Sequence, residues 1–173
     1  MNSVVNITII VFTEQLIRDF LNPSKDPLNP TKIPNSYSYL VKSGQKNEAI
    51  KGFSGKNINI LKSKNTSVEV NFFTYSETSN YDNPVILYQI NQLKANAISS
   101  KSLKLKFFSD VKTIVPESFN PLTCQYVKKD FWYCSDFLVG HETKEYALNI
   151  ALYDGNELNI LGYFQFNQTL SVS

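Results

Sequence analysis

The side chains best equipped for chemistry in this sequence are one histidine, two cysteines and a run of aromatic rings. His141 is the only histidine, beside Glu142 and near Asp136 and Asp154 in sequence. A histidine among carboxylates could move protons, bind a metal or serve a Ser-His-Asp site. But His141 sits in Gly140-His-Glu-Thr-Lys144, a polar stretch between strands, where a solvated histidine is expected. No Gly-x-Ser-x-Gly, glycine-rich phosphate loop, His-Glu-x-x-His or Asp-rich calcium loop is present. No catalytic residue, metal site or cofactor is expected, and the chain reads as a non-enzyme.

Cys124 and Cys134 lie symmetrically about Lys129. A turn at Lys128-Lys129-Asp130 would make them cross-strand neighbours, open to a disulfide. Two packed thiols are the expectation in a reducing cytosol. Two cysteines and one histidine do not make a zinc site of the usual kind. Phe131-Trp132-Tyr133, with Tyr153 and Tyr163 facing away from the inferred core, form the remaining candidate surface. Trp132, Tyr153 and Tyr163 could be a platform for a sugar or another small apolar ligand. Alternatively a second layer of the fold, or a second copy of the chain, covers them.

The elements that must position these residues are strands. Ten Tyr and twelve Phe among 173 residues favour sheet over helix. A net charge of +2 and a single arginine, Arg18, give no electrostatic case for nucleic acid or an anionic membrane. Met1–Phe12 has no basic leader, and its apolar run is broken by Asn6 and Thr8. It reads as a strand rather than a signal peptide, and no run is long enough to span a bilayer, so the cytoplasm is the expected location.

Strand one is expected over Val4–Phe12. A helical turn over Thr13–Phe20 follows, with Thr13 as N-cap. Four prolines between Asn22 and Pro34 forbid helix or central strand there, and a crossover loop is expected. Short strands are expected at Tyr37–Ser43, Asn57–Leu61 and Ser67–Ser76. Pro84–Leu93 is apolar on both faces, as in a strand covered from both sides. Ser102–Ser109 alternates, with Leu103, Leu105 and Phe107 inward. Lys104 and Lys106 point outward, to solvent or along an edge protected by charge. Val111–Pro121 reads as loop. Gln125–Val127 and Phe131–Val139 read as a hairpin, and a last short strand is expected near Thr169–Val172.

The C-terminal hairpin can be registered. Tyr146, Leu148, Ile150 and Leu152 alternate with smaller or polar residues, as do Leu158, Ile160, Phe164 and Phe166. A three-residue turn at Asp154-Gly155-Asn156 would set Leu152 opposite Leu158, Ile150 opposite Ile160 and Tyr146 opposite Phe164. Asn156 would take the left-handed position. All eight would be core, leaving Tyr153, Leu161, Tyr163 and Gln165 on a face of unknown partner. Roughly eight to ten short strands argue for an all-β, antiparallel sandwich, jelly-roll or immunoglobulin-like, spanning residues 1–173 as one domain.

Two segments resemble a known family. Asn22-Pro23-Ser24-x-x-Pro27-x-x-Pro30-Thr31-x-Ile33 is similar to the proline-rich loop of the PixA/AidA inclusion body proteins. Ala151-Leu152-Tyr153-Asp154 and Leu161-Gly162-Tyr163-Phe164-Gln165-Phe166-Asn167-x-Thr169-Leu170 resemble the end of that family, with Phe166 standing where tryptophan is as common. Phe131-Trp132-Tyr133 resembles its aromatic strand. The resemblance implies a bacterial cytoplasmic protein that accumulates in dense, sometimes crystalline inclusions, often under quorum-sensing control. It also implies that Pro23, Pro27 and Pro30 fix the crossover loop and that Gly162 packs or kinks the last strand. It supplies no catalytic residue. The expected partner is a second copy of the chain, in a homodimer or higher oligomer. A lectin-like ligand-binding sandwich is the alternative.

Overall fold

Alternating burial along the chain builds two sheets that close on each other. A computed structural model describes residues 3–43, 57–60, 67–76, 83–93, 101–103, 105–119, 122–139, 143–157 and 159–172. In chain order the elements are β1 (Ser3–Val11), α1 (Thr13–Asp19), β2 (Thr31–Lys32), a 3-10 turn (Asn35–Tyr37), β3 (Ser38–Ser43), β4 (Asn57–Ile60) and β5 (Ser67–Ser76). There follow β6 (Val85–Leu93), β7 (Lys101–Leu103), β8 (Leu105–Phe119), β9 (Leu122–Val139), β10 (Thr143–Tyr153) and β11 (Ile160–Val172). One sheet has the order β3-β1-β5-β9-β8. The other runs β2-β11-β10-β6-β7, with β4 also paired to β11.

Val5, Ile7, Ile9 and Val11 of β1 and Val68, Val70 and Phe72 of β5 are buried from one side. Tyr146, Leu148, Ile150 and Leu152 of β10 and Phe164, Phe166 and Leu170 of β11 are buried from the other. The sheets meet at Phe72 and Tyr146, whose rings lie 5.4 Å apart. Each such side chain contributes about 2 kcal/mol by leaving water, so the interface between the sheets dominates stability. This is the all-β sandwich expected, with one difference in its pairing. The β1–β5, β11–β2 and β11–β4 pairs are parallel. Parallel neighbours need long crossovers, which the intervening segments supply.

The closing hairpin keeps its faces but not its register. Ile150 lies opposite Phe164, Leu148 opposite Phe166 and Tyr146 opposite Gln168, four residues beyond the expected partners. The turn is longer than three residues: Asp154 N–H donates to the Asn159 carbonyl (2.8 Å), and the Asp154 carboxylate accepts from Asn156 N–H (2.9 Å). An even slip preserves which face each side chain takes. Six of the eight expected core residues are therefore buried. Ile160 is only half-buried, and Leu158 lies outside the described residues. Asn156 is not left-handed. Among the described non-glycine residues only Asp110 has positive φ (56°).

Other expectations change for identifiable reasons. Thr13 does not cap α1. Phe12 takes that position, and the buried Thr13 hydroxyl bonds Ser76 Oγ at 2.9 Å. The expected Ser102–Ser109 strand is divided, because Lys101–Leu103 joins one sheet and Leu105 onward joins the other. Leu105 and Phe107 are consequently 40% and 45% exposed rather than inward. In β6, Val85, Leu87 and Ile90 are buried, while Ile86 is exposed and Tyr88 half-buried, so the second face is covered only in part. Thr169–Val172 continues β11 and is not a separate strand. Val111–Phe119 is strand, not loop. Pro116 is accommodated at a register irregularity on an edge strand, where its missing N–H costs little. Lys128-Lys129-Asp130 is not a turn either, since β9 runs unbroken through it. Cys124 and Cys134 therefore face Pro116 and Leu105 rather than each other, and both are free thiols. Cys124 is exposed, and Cys134 is buried with its pKa pushed up to about 11 by loss of solvent.

Candidate functional site

The β8–β9 hairpin outruns the sandwich. β9 pairs with β5 only from Cys134 to Val139. Leu122–Tyr133 pairs with β8 alone among the described residues, and β8 is the outermost strand. At 3.4 Å per residue this two-stranded arm reaches about 40 Å. A lone hairpin is marginal in water, so an arm of this length gains from further burial.

Its exposed surface is aromatic. Trp132 (56% exposed) and Phe107 (45%) face each other across the arm with ring centroids 4.5 Å apart. Strand alternation puts Tyr126, 71% exposed, on the same face as Trp132. On the opposite face Phe108 stacks on Tyr133 at 4.4 Å, Tyr133 lies 5.6 Å from Phe73, and Lys106 Nζ sits 5.8 Å from the Tyr133 ring. Large apolar side chains clustered in water mark interaction surfaces more often than scattered ones do. A bulge between Phe108 and Val111 twists the arm. It is tied down where Asp130 accepts from Asp110 N–H (3.0 Å) and Lys128 pairs with Asp110 (3.0 Å).

The three aromatics singled out from sequence do not form one surface. Trp132 stands on this arm, whereas Tyr153 and Tyr163 belong to the other sheet. Tyr163 is half-buried and packs edge-on against Tyr88 at 5.4 Å. The Tyr88 hydroxyl donates to the Pro27 carbonyl (2.8 Å), and burial pushes its pKa up to about 12. Tyr153 is half-buried, its N–H bonded to the Pro84 carbonyl. Gln165 joins Asn149 and Gln89 in a chain of side-chain amide hydrogen bonds across three strands. Phe108 and Tyr126 escaped sequence reading as surface residues, and Phe107 was expected inward. The Val111-x-Thr113-x-Val115 alternation was the signal for a long strand there, and Pro116 obscured it.

The carboxylates near His141 in sequence are structural where they can be seen; His141 and Glu142 lie outside the described residues. Asp136 is buried, accepting from the Tyr146 hydroxyl (2.8 Å) and Lys144 Nζ (3.2 Å), and so ties β9 to β10. Burial would raise its pKa, but the Tyr146 hydrogen bond and the Lys144 charge outweigh that and hold it below the usual carboxylate range. A depressed folded-state pKa stabilises the fold above the unfolded value of about 4 and loses that contribution as pH falls through the folded one. Stability should therefore decline below about pH 4, and less so in Asp136→Asn. Urea midpoints of both proteins across the acid range measure this. Parallel curves would remove Asp136 from the account. No group of three or more potential metal-binding side chains occurs among the described residues, and no helix there is long and apolar enough to cross a membrane.

A second feature lies where the proline loop crosses from one sheet to the other. Tyr163 N–H donates to the Ser24 carbonyl (2.9 Å), Ile33 N–H to the Gln165 carbonyl (2.8 Å), and Ser24 N–H to Thr31 Oγ1 (2.8 Å). Pro23 rests directly on Gly162: a Cβ there would stand 2.5 Å from the Pro23 ring. Between α1, this loop and β11 lies a cleft of about 440 Å³.

A family model described as PixA, inclusion body protein, matches residues 3–172. A crystal structure of an inclusion body protein (PixA) from Burkholderia cenocepacia J2315 is similar in fold. Its TM-score is 0.77 at 16% identity, covering 99% of this chain and 97% of that one. At that identity the likeness speaks for fold. Comparison with curated proteins finds no match.

Proposed function

The chain belongs to the PixA family of inclusion body proteins, and from that premise we propose that it is a non-enzymatic protein whose copies self-associate into dense assemblies in the bacterial cytoplasm. The observation that carries the reading is the β8–β9 arm, on which Phe107, Trp132 and Tyr126 are exposed to solvent. A second copy is the occupant that suits it. The net charge of +2 opposes the approach of like chains only weakly. An arm about 40 Å long, with an aromatic cluster on it, can supply the roughly 800 Å² per partner of a stable interface. The bulge and the lysines of β8 discourage simple edge pairing, which favours packing through the faces. A sugar platform is weaker support for function, because Trp132 and Tyr163 do not share a surface.

Sedimentation velocity tests this. The native chain should form dimers or larger species. Phe107→Glu/Trp132→Glu should shift them to monomer with an unchanged circular dichroism spectrum. Central aromatics of an interface are worth about 2–4 kcal/mol each, so the double variant should weaken association at least a hundredfold. An identical distribution for the two proteins would remove the arm from the interface.

A further inference from the structure

The cleft beside α1 has no part in the self-association reading. Its wall is apolar, formed by Phe20, Leu152, Leu161 and Phe164, with Ile17 and Leu21 also lining it. Ile17 is 38% exposed and Leu21 81% exposed. One exposed leucine needs no explanation, but two large aliphatics left in water beside an apolar cleft are surface that a ligand would cover.

The cleft is also preformed. Pro23 seated on Gly162 and the Tyr163–Ser24 hydrogen bond hold its loop wall against β11. Little ordering remains to oppose binding.

The one charged side chain lining it is Lys25. Its ammonium donates to the Ile160 carbonyl (2.7 Å) and the Leu161 carbonyl (2.9 Å), which fixes the cation in place. An ammonium carries three N–H groups, so one is left to meet a ligand oxygen. The adjacent Asp26 does not compete for it. Its carboxylate accepts from Leu28 N–H (2.9 Å) and the Asn29 amide (2.6 Å) within its own turn.

We propose that this cleft binds a soluble single-chain amphiphile with an anionic head, a medium-chain carboxylate, its tail along Phe20, Leu21 and Leu161 and its carboxylate on Lys25. Size agrees with one chain. About 150 Å³ admits a benzene ring, so 440 Å³ that is partly open to solvent has room for a chain of about ten carbons.

Calorimetric titration of the 173-residue chain with decanoate tests the proposal, with decanol as the uncharged control. Decanoate should saturate one site and bind about tenfold or more tighter than decanol, the worth of a charge-assisted hydrogen bond. Lys25→Gln should bring decanoate down to the decanol level and leave decanol unchanged, which separates loss of charge from a loosened loop. Leu21→Asp, at an exposed position, should weaken both. Non-saturable binding, equal affinity for acid and alcohol, or indifference to Leu21→Asp would each overturn the proposal. So would co-sedimentation of the protein with phosphatidylglycerol vesicles that depends on Lys25 and Leu21 while decanoate fails to bind, since the occupant would then be a lipid surface.

Discussion

Lys144→Met is expected to lower unfolding free energy by about 3–5 kcal/mol, the cost of breaking a buried ion pair from one side. Asp136 is 3% exposed and the Lys144 side chain 13%. Methionine fills the space of the lysine stem but withdraws the Lys144 charge from the buried carboxylate. It also deprives the Phe137 carbonyl of the bond it accepts from Lys144 Nζ at 2.9 Å. The charged form of Asp136 loses support, so its pKa should rise and the acid limb of the stability curve should begin at higher pH. Asp136→Asn on the Lys144→Met background should recover part of the loss, because an amide buried beside Tyr146 costs less than a carboxylate that has lost its lysine. Urea denaturation of the two variants and the parent measures all three. A loss within about 0.5 kcal/mol would mean the pair behaves like a solvated surface bridge.

Gly162→Ala should cost about 1–3 kcal/mol, the usual cost of overpacking. For a chain of this size that is a fall in Tm of roughly 2–4 °C for each kcal/mol. The new methyl group would stand 2.5 Å from Pro23 Cγ and 2.6 Å from Pro23 Cβ, and a proline ring has no rotamer to escape into. The loop or β11 must move, which strains the Tyr163–Ser24 hydrogen bond as well. The contact makes a specific prediction in a double-mutant cycle. Pro23→Gly removes both clashing atoms, so Gly162→Ala should cost markedly less on that background than on the parent. Additive losses would show that Gly162 serves some other purpose.

These residues illustrate what was legible in the sequence. Alternation identified the core faces of β10 and β11, because burial acts on every second side chain whatever the register. The register of the last hairpin was not legible. Asp154-Gly155-Asn156 supports a short turn as well as the longer one that forms, and an even slip costs no buried face. The family resemblance implied that Gly162 packs or kinks the last strand. Its partner, Pro23, is 139 positions away in sequence, and only the fold brings the two together. The arm was the largest omission. Pro116 and the polar Lys128-Lys129-Asp130 look like turn residues, yet an edge strand and a hairpin in solvent tolerate both. Trp132 was recognised as a candidate surface residue, but Phe107, its partner across the arm, and Tyr126, farther along the same face, come from segments assigned to a core strand and a short hairpin.

Trp132 is the only tryptophan in the chain and stands 56% exposed on the arm, so its fluorescence reports directly on whether copies meet there. As protein concentration is raised, its emission should shift to the blue in step with the rise in sedimenting mass, because a partner removes the indole from water. Emission that stays at its dilute, solvent-exposed position while mass increases would contradict the account: copies would then associate through another face.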